Sequence, residues 1–127
     1  MICIDSSALL AVLLDEPEAD ACAAILGRDG PFIISAATLA EVLIVADGRG
    51  LGDEMSRLVE GLRLQVIDLD QPAAIRVAQA YRRWGKGRHP ARLNYGDCFA
   101  YALAAHLDCP LLFVGDDFAK TDLKSAL

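Results

Sequence analysis

The fold of this chain is decided by residues 1–10, MICIDSSALL, in which a short apolar run leads through an acid into a helix-like segment. The run at residues 2–4 is apolar without alternation, which is typical of a strand buried on both faces of a parallel sheet. Ser6 or Ser7 can cap the helix that follows. The opening therefore predicts a β-strand and then an α-helix, with Asp5 at the carboxyl end of the strand.

The same alternation continues along the chain. We predict further strands at 32–34, 64–69 and 111–114, and helices at about 7–14, 18–26, 36–47, 53–62, 72–84 and 95–107. Residues 85–93 lack a pattern and are predicted to form a polar loop. Strands that alternate with helices indicate a parallel sheet covered on both faces. The predicted fold class is α/β, as one domain over residues 1–127 with a central, mostly parallel sheet.

Composition narrows the class of protein. The 127 residues are 54% hydrophobic but only 6% aromatic, which predicts an aliphatic core. The net charge of −6 argues against a protein that holds nucleic acid by bulk positive charge. The four cysteines lack zinc-site spacing and predict buried free thiols in a reducing compartment. Without a signal-like start or an apolar run of ~20 residues, we expect a cytoplasmic protein with no membrane association.

Five acidic residues stand within or beside apolar segments: Asp5, Glu41, Asp97, Asp116 and Asp117. Buried carboxylates are unfavourable unless they are paired, hydrogen-bonded or bound to a metal. In a parallel sheet, ligands gather outside the carboxyl ends of the strands, where Asp5 and the Asp116-Asp117 pair are predicted to lie. Glu41 and Asp97 reach the same edge if their helices pack there. The pattern therefore predicts that these acids meet around a divalent cation.

Oxygen ligands without histidine or cysteine favour Mg²⁺ or Mn²⁺, and a common use of such a site is phosphodiester hydrolysis by a metal-activated water. Each acid also has a purely structural explanation. Asp5 can cap a helix, Asp97 can compensate a helix dipole, and Glu41 can form a lone salt bridge. The Asp116-Asp117 pair can be an ordinary turn. Position and composition alone leave both interpretations open.

Four motifs carry a resemblance to a known family: DSSALL at 5–10, SAATLAE at 35–41, NYGDCFAYALA at 94–104, and LLFVGDDF at 111–118 followed by Thr121-Asp122-Leu123. Together they resemble a PIN domain of the VapC type, the toxin ribonucleases of type II (VapBC) toxin–antitoxin systems. The motifs occur in the family's order and span nearly the whole chain. The segment at 94–104 is the most specific of them.

The resemblance implies a three-layer α/β/α fold and an Mg²⁺- or Mn²⁺-dependent endoribonuclease, a hydrolase that cleaves RNA. It implies four catalytic acids, namely Asp5, Glu41, Asp97 and Asp117. The same residues, with Asp116 as an alternative at the last position, are the implied metal site. Asp5 and Asp97 are the first choices for direct ligands, whereas Glu41 is expected to act through water. Ser7 is expected to support the site or to cap a helix.

The resemblance also implies partners. A cognate VapB-type antitoxin is expected to hold the toxin inactive by inserting a segment into its groove. The complex is expected to repress its own operon, so that DNA is contacted only through the antitoxin. A homodimer is expected as well. The alternative from another class is a catalytically idle PIN-like module that only binds protein or RNA.

A cluster of basic residues precedes the most specific motif: Arg82, Arg83, Lys86, Arg88 and Arg92. These five side chains, among twelve lysines and arginines in all, are predicted to contact RNA phosphates beside the cleft. The competing interpretation is a solvated helix end with favourable charges near a C-terminus. Trp84 can stack on a base, but its helical spacing with Val77 and Tyr81 favours packing.

Overall fold

The computed structural model describes all 127 residues, which form four parallel strands and six helices. The elements are β1 (Ile2–Ile4), α1 (Ser6–Leu13), α2 (Ala19–Leu26), β2 (Phe32–Ser35), α3 (Ala36–Gly48), α4 (Gly52–Leu62), β3 (Gln65–Ile67), α5 (Gln71–Trp84), α6 (Tyr95–His106) and β4 (Leu111–Leu112). A short 3-10 helix, Phe118–Lys120, follows β4. The strand order is β3-β2-β1-β4, and every neighbouring pair is parallel.

Alternate residues of each strand enter two separate cores, one on each face of the sheet. Cys3, Ile33 and Leu111 point into the core that contains α5 and α6. The residues that follow them, Ile4, Ile34 and Leu112, point into the core with α1 to α4. The predicted three-layer α/β/α fold is therefore confirmed, and the predicted mostly parallel sheet is parallel throughout.

The third strand is shorter and more exposed than the predicted strand at 64–69. It spans Gln65–Ile67 and pairs only with β2, because it forms one edge of the sheet. Val66 is 42% exposed and Leu69 is 41% exposed. The prediction was therefore too long at both ends, and an apolar pattern does not show whether a strand lies at the edge or in the centre of a sheet.

The last strand is also shorter than predicted, and the residues after it do more than form a tail. Regular pairing of β4 covers only Leu111–Leu112 instead of 111–114. The amide of Leu111 donates to the carbonyl of Lys124 at 2.9 Å, and its carbonyl accepts from Ala126 at 2.9 Å. The end of the chain thus lies beside β4 in a parallel direction and covers that edge of the sheet.

The loop at 85–93 is closed by its own backbone. The amide of Leu93 donates to the carbonyl of Trp84 at 3.0 Å, and the amide of Lys86 donates to the carbonyl of Leu93 at 2.9 Å. Ala91 and Leu93 are buried in the core on the α5–α6 side. Although the sequence suggested only a polar connection, the loop is anchored at both ends and in its second half.

Two other expectations concern cysteines and membranes. All four cysteines are buried, and none forms a disulfide, as predicted. The combination of length and apolar character needed to cross a bilayer is found in no helix of this structure.

Candidate active site

Asp5 lies at the carboxyl end of β1 and is only 4% exposed. Its Oδ2 accepts two hydrogen bonds from Ser7, one from the amide at 3.1 Å and one from the hydroxyl at 2.6 Å. Asp5 is therefore the cap of α1, as its structural explanation predicted, and the suggestion that Ser6 or Ser7 caps this helix is wrong. Burial raises the pKa of Asp5, the bonds from Ser7 oppose that rise, and the charge of Glu41 adds to it.

Ser7 joins two strand ends. While its hydroxyl donates to Asp5, the same oxygen accepts a hydrogen bond from the amide of Val114 at 3.0 Å. Val114 follows β4, so the hydroxyl connects the carboxyl end of β1 to that of its neighbour. The side chain thus fixes the orientation of the Asp5 carboxylate relative to the chain that leads into Asp116 and Asp117.

Glu41 projects from α3 toward the same edge of the sheet and is half-buried. Its Oε1 accepts a hydrogen bond from the Ser6 hydroxyl at 2.9 Å. Its carboxylate also lies against Gly96, where a Cβ atom would collide with Oε2. Ser6 and Gly96 therefore position Glu41. The sequence suggested Ser6 only as a possible helix cap and gave Gly96 no role.

Asp97 stands in the first turn of α6 and closes a capping box with Asn94. The amide of Asp97 donates to Oδ1 of Asn94 at 2.8 Å, and the amide of Asn94 donates to Oδ2 of Asp97 at 3.0 Å. Burial raises the pKa of Asp97 to about 6; the Asn94 bond opposes the rise, while the charges of Asp5, Asp117 and Glu41 add to it. The charges of the other three predicted acids thus all contribute at Asp97.

Asp116 and Asp117 are both exposed and follow Gly115, whose φ of 105° allows the sharp turn out of β4. The carbonyl of Asp116 accepts a hydrogen bond from the amide of Ala119 at 3.2 Å, which stabilises the turn. The charge of Asp117, but not that of Asp116, contributes to the raised pKa of Asp97. This difference favours Asp117 over Asp116 as the residue closer to the acidic site.

The acids lie around one end of the sheet, but no three of them converge on a single point. None of them forms an ion pair with a lysine or arginine, since the two salt bridges join Arg57 to Glu54 and Arg83 to Asp122. Carboxylates placed near one another without a positive partner repel and raise one another's pKa. The donors are all oxygens, which is the ligand type that Mg²⁺ and Mn²⁺ prefer.

The structure divides the five predicted RNA-binding residues. Lys86 and Arg92 line a groove together with Asp116 and Asp117. In contrast, Arg83 lies 3.7 Å from Asp122 and 4.5 Å from the centre of the Trp84 ring, so its charge is already engaged. Arg82 and Arg88 are exposed, and neither lines this groove.

Trp84 packs as expected from its helical spacing. It is 7% exposed, and its ring centre lies 4.6 Å from that of His89 and 6.0 Å from that of Tyr101. Because it is enclosed, its ring is not available for stacking on a base. Trp84 instead anchors the start of the loop at 85–93.

Sequence reasoning missed Lys120, which lies in the short 3-10 helix and lines the same groove as Lys86 and Arg92. The signal for this residue is weak, because its position depends on the turn after β4. Sequence reasoning also gave Asn94 no role of its own, although an asparagine three residues before an acid indicates a capping box and could have revealed it.

Known proteins match both the sequence and the fold. A sequence model of the family described as PIN domain matches residues 2–124. Ribonuclease VapC of Mycolicibacterium smegmatis is 44% identical over 126 residues, covering 94% of this chain and 95% of that protein. The crystal structure of Mycobacterium tuberculosis VapC20, described as a sarcin-ricin loop cleaving toxin, superposes with a TM-score of 0.75 at 14% identity and covers 97% of this chain and 96% of that one.

A third match is VapBC2 from Rickettsia felis, solved bound to a DNA fragment from its promoter. It superposes with a TM-score of 0.72 at 14% identity, covering 98% of this chain and 97% of that one. The structural likeness supports the fold, while the sequence identity carries the closer relationship. The resemblance inferred from the four motifs is confirmed: this chain belongs to the PIN-domain family and, within it, to the VapC ribonucleases.

Proposed function

We propose that this protein is a metal-dependent endoribonuclease toxin that hydrolyses RNA phosphodiester bonds. The observation that carries the proposal is the placement of Asp5, Glu41, Asp97 and Asp117 at the carboxyl edge of the sheet. Burial raises the pKa of Asp97 to about 6 there, and the charges of the other three acids add to that rise. A bound Mg²⁺ or Mn²⁺ would supply an activated water and would stabilise charge on the leaving oxygen. The 44% identity to a protein named as a ribonuclease supports the same conclusion.

We assign the direct metal contacts to Asp5 and Asp97. Ser7 directs both of its hydrogen bonds to Oδ2 of Asp5, which leaves Oδ1 as the oxygen that we assign to the ion. In Asp97, Oδ2 is held by the amide of Asn94, so Oδ1 is the corresponding choice. Each ligand is thus held by a hydrogen bond to its other oxygen, which fixes its orientation before metal binds.

Glu41 and Asp117 complete the proposed catalytic set. Glu41 is held by Ser6 and Gly96, and we propose that it acts through a water molecule. Asp117 is exposed at the mouth of the site, and its charge reaches Asp97, so we prefer it to Asp116 as the fourth acid. Ser7 supports the site by orienting Asp5.

We further propose that RNA is held by a local positive surface, since the net charge of the protein is −6. Lys86 and Arg92 are the strongest candidates from the predicted set, because they line a groove with Asp116 and Asp117. Arg82 and Arg88 remain candidates for weaker, more distant phosphate contacts. We rank Arg83 below Lys86 and Arg92, because it forms an exposed ion pair with Asp122 and does not line this groove.

We propose that a VapB-type antitoxin neutralises the protein in the cytoplasm, and that the toxin forms a homodimer. The likeness to Rickettsia felis VapBC2, a complex bound to promoter DNA, supports the antitoxin as the partner through which DNA is contacted. Copurification of the toxin with the product of an adjacent gene, followed by measurement of the mass of the complex, would test both partners.

The central experiment compares RNA cleavage by the wild type and by Asp5→Asn with Mg²⁺, with Mn²⁺ and with EDTA. We expect metal-dependent cleavage by the wild type only, since the variant loses a charged ligand. Circular dichroism would establish that the variant is folded. A folded wild-type protein that cuts no RNA with either metal would support the alternative, an idle module that only binds.

A further inference from the structure

Three cations from two separate parts of the chain line the groove that also contains Asp116 and Asp117. Lys86 and Arg92 come from the loop at 85–93, whereas Lys120 comes from the 3-10 helix after β4. All three are exposed, and none forms a salt bridge. Their charges are therefore available to an anionic ligand.

The groove borders the proposed metal site through Asn94. This residue lines the groove with the three cations and shares two hydrogen bonds with Asp97, of 2.8 Å and 3.0 Å. A ligand in the groove would therefore lie next to the reacting position. The three cations would attract an extended polyanion to the groove.

The loop backbone that carries Lys86 and Arg92 is held by hydrogen bonds in the absence of a ligand. Backbone hydrogen bonds of 2.9 Å and 3.0 Å close the loop through Leu93, and a third, of 3.0 Å, runs from the amide of Arg92 to the carbonyl of His89. The amide of Ala91 also donates to Nδ1 of His89 at 3.0 Å. A preorganised loop loses less conformational entropy when it binds, which strengthens a site built from exposed side chains.

The chemistry of the groove favours the phosphate backbone over the bases. Only one of its eight lining residues is hydrophobic, and none is aromatic. Stacking on an aromatic ring is a main way in which proteins hold single-stranded bases. Lysine and arginine contacts to phosphate, in contrast, position the strand without reading its sequence.

We propose that Lys86, Arg92 and Lys120 form a phosphate-binding subsite that holds the RNA backbone beside the bond to be cut. The proposal rests on the ribonuclease function proposed above and adds Lys120, with a defined role, to the residues that serve it. The subsite orients the strand relative to Asp117 and Asp97. Sequence preference must then arise from other contacts.

The test measures binding of a single-stranded RNA oligonucleotide to Asp97→Asn, which binds without cutting, over a series of salt concentrations. Each lost phosphate contact to a single strand is expected to reduce the slope of log K against log salt by about 0.7. We therefore expect a reduction of about 0.7 for Lys120→Gln and about 1.4 for Lys120→Gln with Arg92→Gln. The matched control is Arg28→Gln, an exposed arginine just before β2 at the amino ends of the strands, which is expected to leave the slope unchanged.

The outcomes separate the two proposals. Wild-type cleavage tested in parallel decides the ribonuclease function, whereas the salt slopes decide the subsite. If the Lys120→Gln and double variants gave the same salt slopes as Arg28→Gln, the subsite would be overturned even if the wild type cuts RNA. A failure of Asp97→Asn to bind RNA at low salt would overturn it as well. If the same substitutions weakened binding of a copurified antitoxin while the RNA slopes stayed unchanged, the groove would be a protein-binding surface instead.

With Asp97 intact, Lys120→Gln is expected to raise KM while largely preserving kcat, because the contact binds the substrate away from the reacting bond. A large fall in kcat with unchanged KM would contradict a binding role for Lys120. Circular dichroism of the variant would exclude a loss of structure as the cause.

Discussion

The Glu41 carboxylate can occupy its position only because residue 96 is a glycine. The Glu41 carboxylate lies where a side chain at position 96 would begin, so that a Cβ atom there would collide with Oε2. Gly96 is the second residue of α6, directly before Asp97. The absence of a side chain at 96 thus lets an acid from α3 approach an acid of α6.

Gly96→Ala is therefore expected to displace the Glu41 carboxylate and to disturb the adjacent Asp97. We expect kcat to fall by about 100-fold, the scale of loss for a catalytic group misplaced by about 1 Å. Steady-state RNA cleavage would measure the effect. Gly61→Ala is the matched control, because a Cβ at that helical position meets nothing within 4 Å. It is expected to retain activity and to gain roughly 0.5–1 kcal/mol of stability. Equal activities of the two variants would contradict the proposed constraint.

Ser7→Ala is expected to destabilise the protein and weaken metal binding. It removes the 2.6 Å bond to Asp5 and the acceptor of the Val114 amide. We expect a loss of about 1–2 kcal/mol in the free energy of unfolding, since the partners are left in partly buried surroundings. Urea unfolding and Mn²⁺ titration would measure the two effects. Ser56→Ala, an exposed change in α4, is the control. Unchanged Mn²⁺ affinity in Ser7→Ala would argue against the supporting role.

Asp97→Asn is expected to abolish growth inhibition by the induced protein while preserving the fold. An asparagine Oδ1 can still accept the hydrogen bond from the Asn94 amide that closes the capping box, so α6 keeps its first turn. The substitution removes the negative charge that we assign to the metal. Growth curves after induction would test the loss, and thermal unfolding would test the fold. Full growth arrest by this variant would contradict the metal assignment.

The pH dependence of stability in EDTA provides a separate test of Asp97. Its folded pKa of about 6 lies above its ordinary value of 3.8, mainly because of burial. The protonated form is thus favoured by folding, so the associated stability is complete below pH 3.8 and is lost as pH rises through about 6. We expect the wild type to lose stability relative to Asp97→Asn over this range, and Mg²⁺ to reverse the loss near pH 7. A pH-independent difference between the two proteins would contradict this coupling.

Asp117→Asn and Asp116→Asn are expected to differ, although the residues are adjacent and both exposed. The charge of Asp117 raises the pKa of Asp97, so its removal is expected to lower that pKa and to weaken Mn²⁺ binding. Asp116→Asn is expected to leave Mn²⁺ affinity nearly unchanged. Calorimetric titration of the two variants with Mn²⁺ would compare them. A larger loss in Asp116→Asn would reverse the assignment.

Much of the fold could be predicted because local patterns and topology agree. The apolar runs at β1 and β4 define parallel strands whose carboxyl ends share one edge of the sheet. Asp5 and the Asp116-Asp117 pair could therefore be placed together without coordinates. The exposure of β3 could not be predicted, because the position of a strand within the sheet depends on which neighbours it acquires.

The acids of the site could be predicted from the sequence, but the contacts that position them could not. The bond of Ser6 to Glu41 joins residues 35 positions apart, and that of Ser7 to Val114 joins residues 107 apart. Such contacts depend on how helices pack on the sheet, which no local pattern encodes. The pairing of Arg83 with Asp122 is also a long-range contact. It distinguishes Arg83 from the other four basic residues of the cluster, which form no salt bridge.

The closed loop at 85–93 has a consequence for how proteins of this type diversify. Its shape depends on backbone hydrogen bonds and on the burial of Ala91 and Leu93, not on the charged side chains that it displays. Lys86, Arg88 and Arg92 can therefore be exchanged at little cost to stability. Exchanging these side chains would change how tightly the RNA backbone is held while leaving the acids in place. The strength of RNA binding and the cleavage chemistry could then evolve as separate traits.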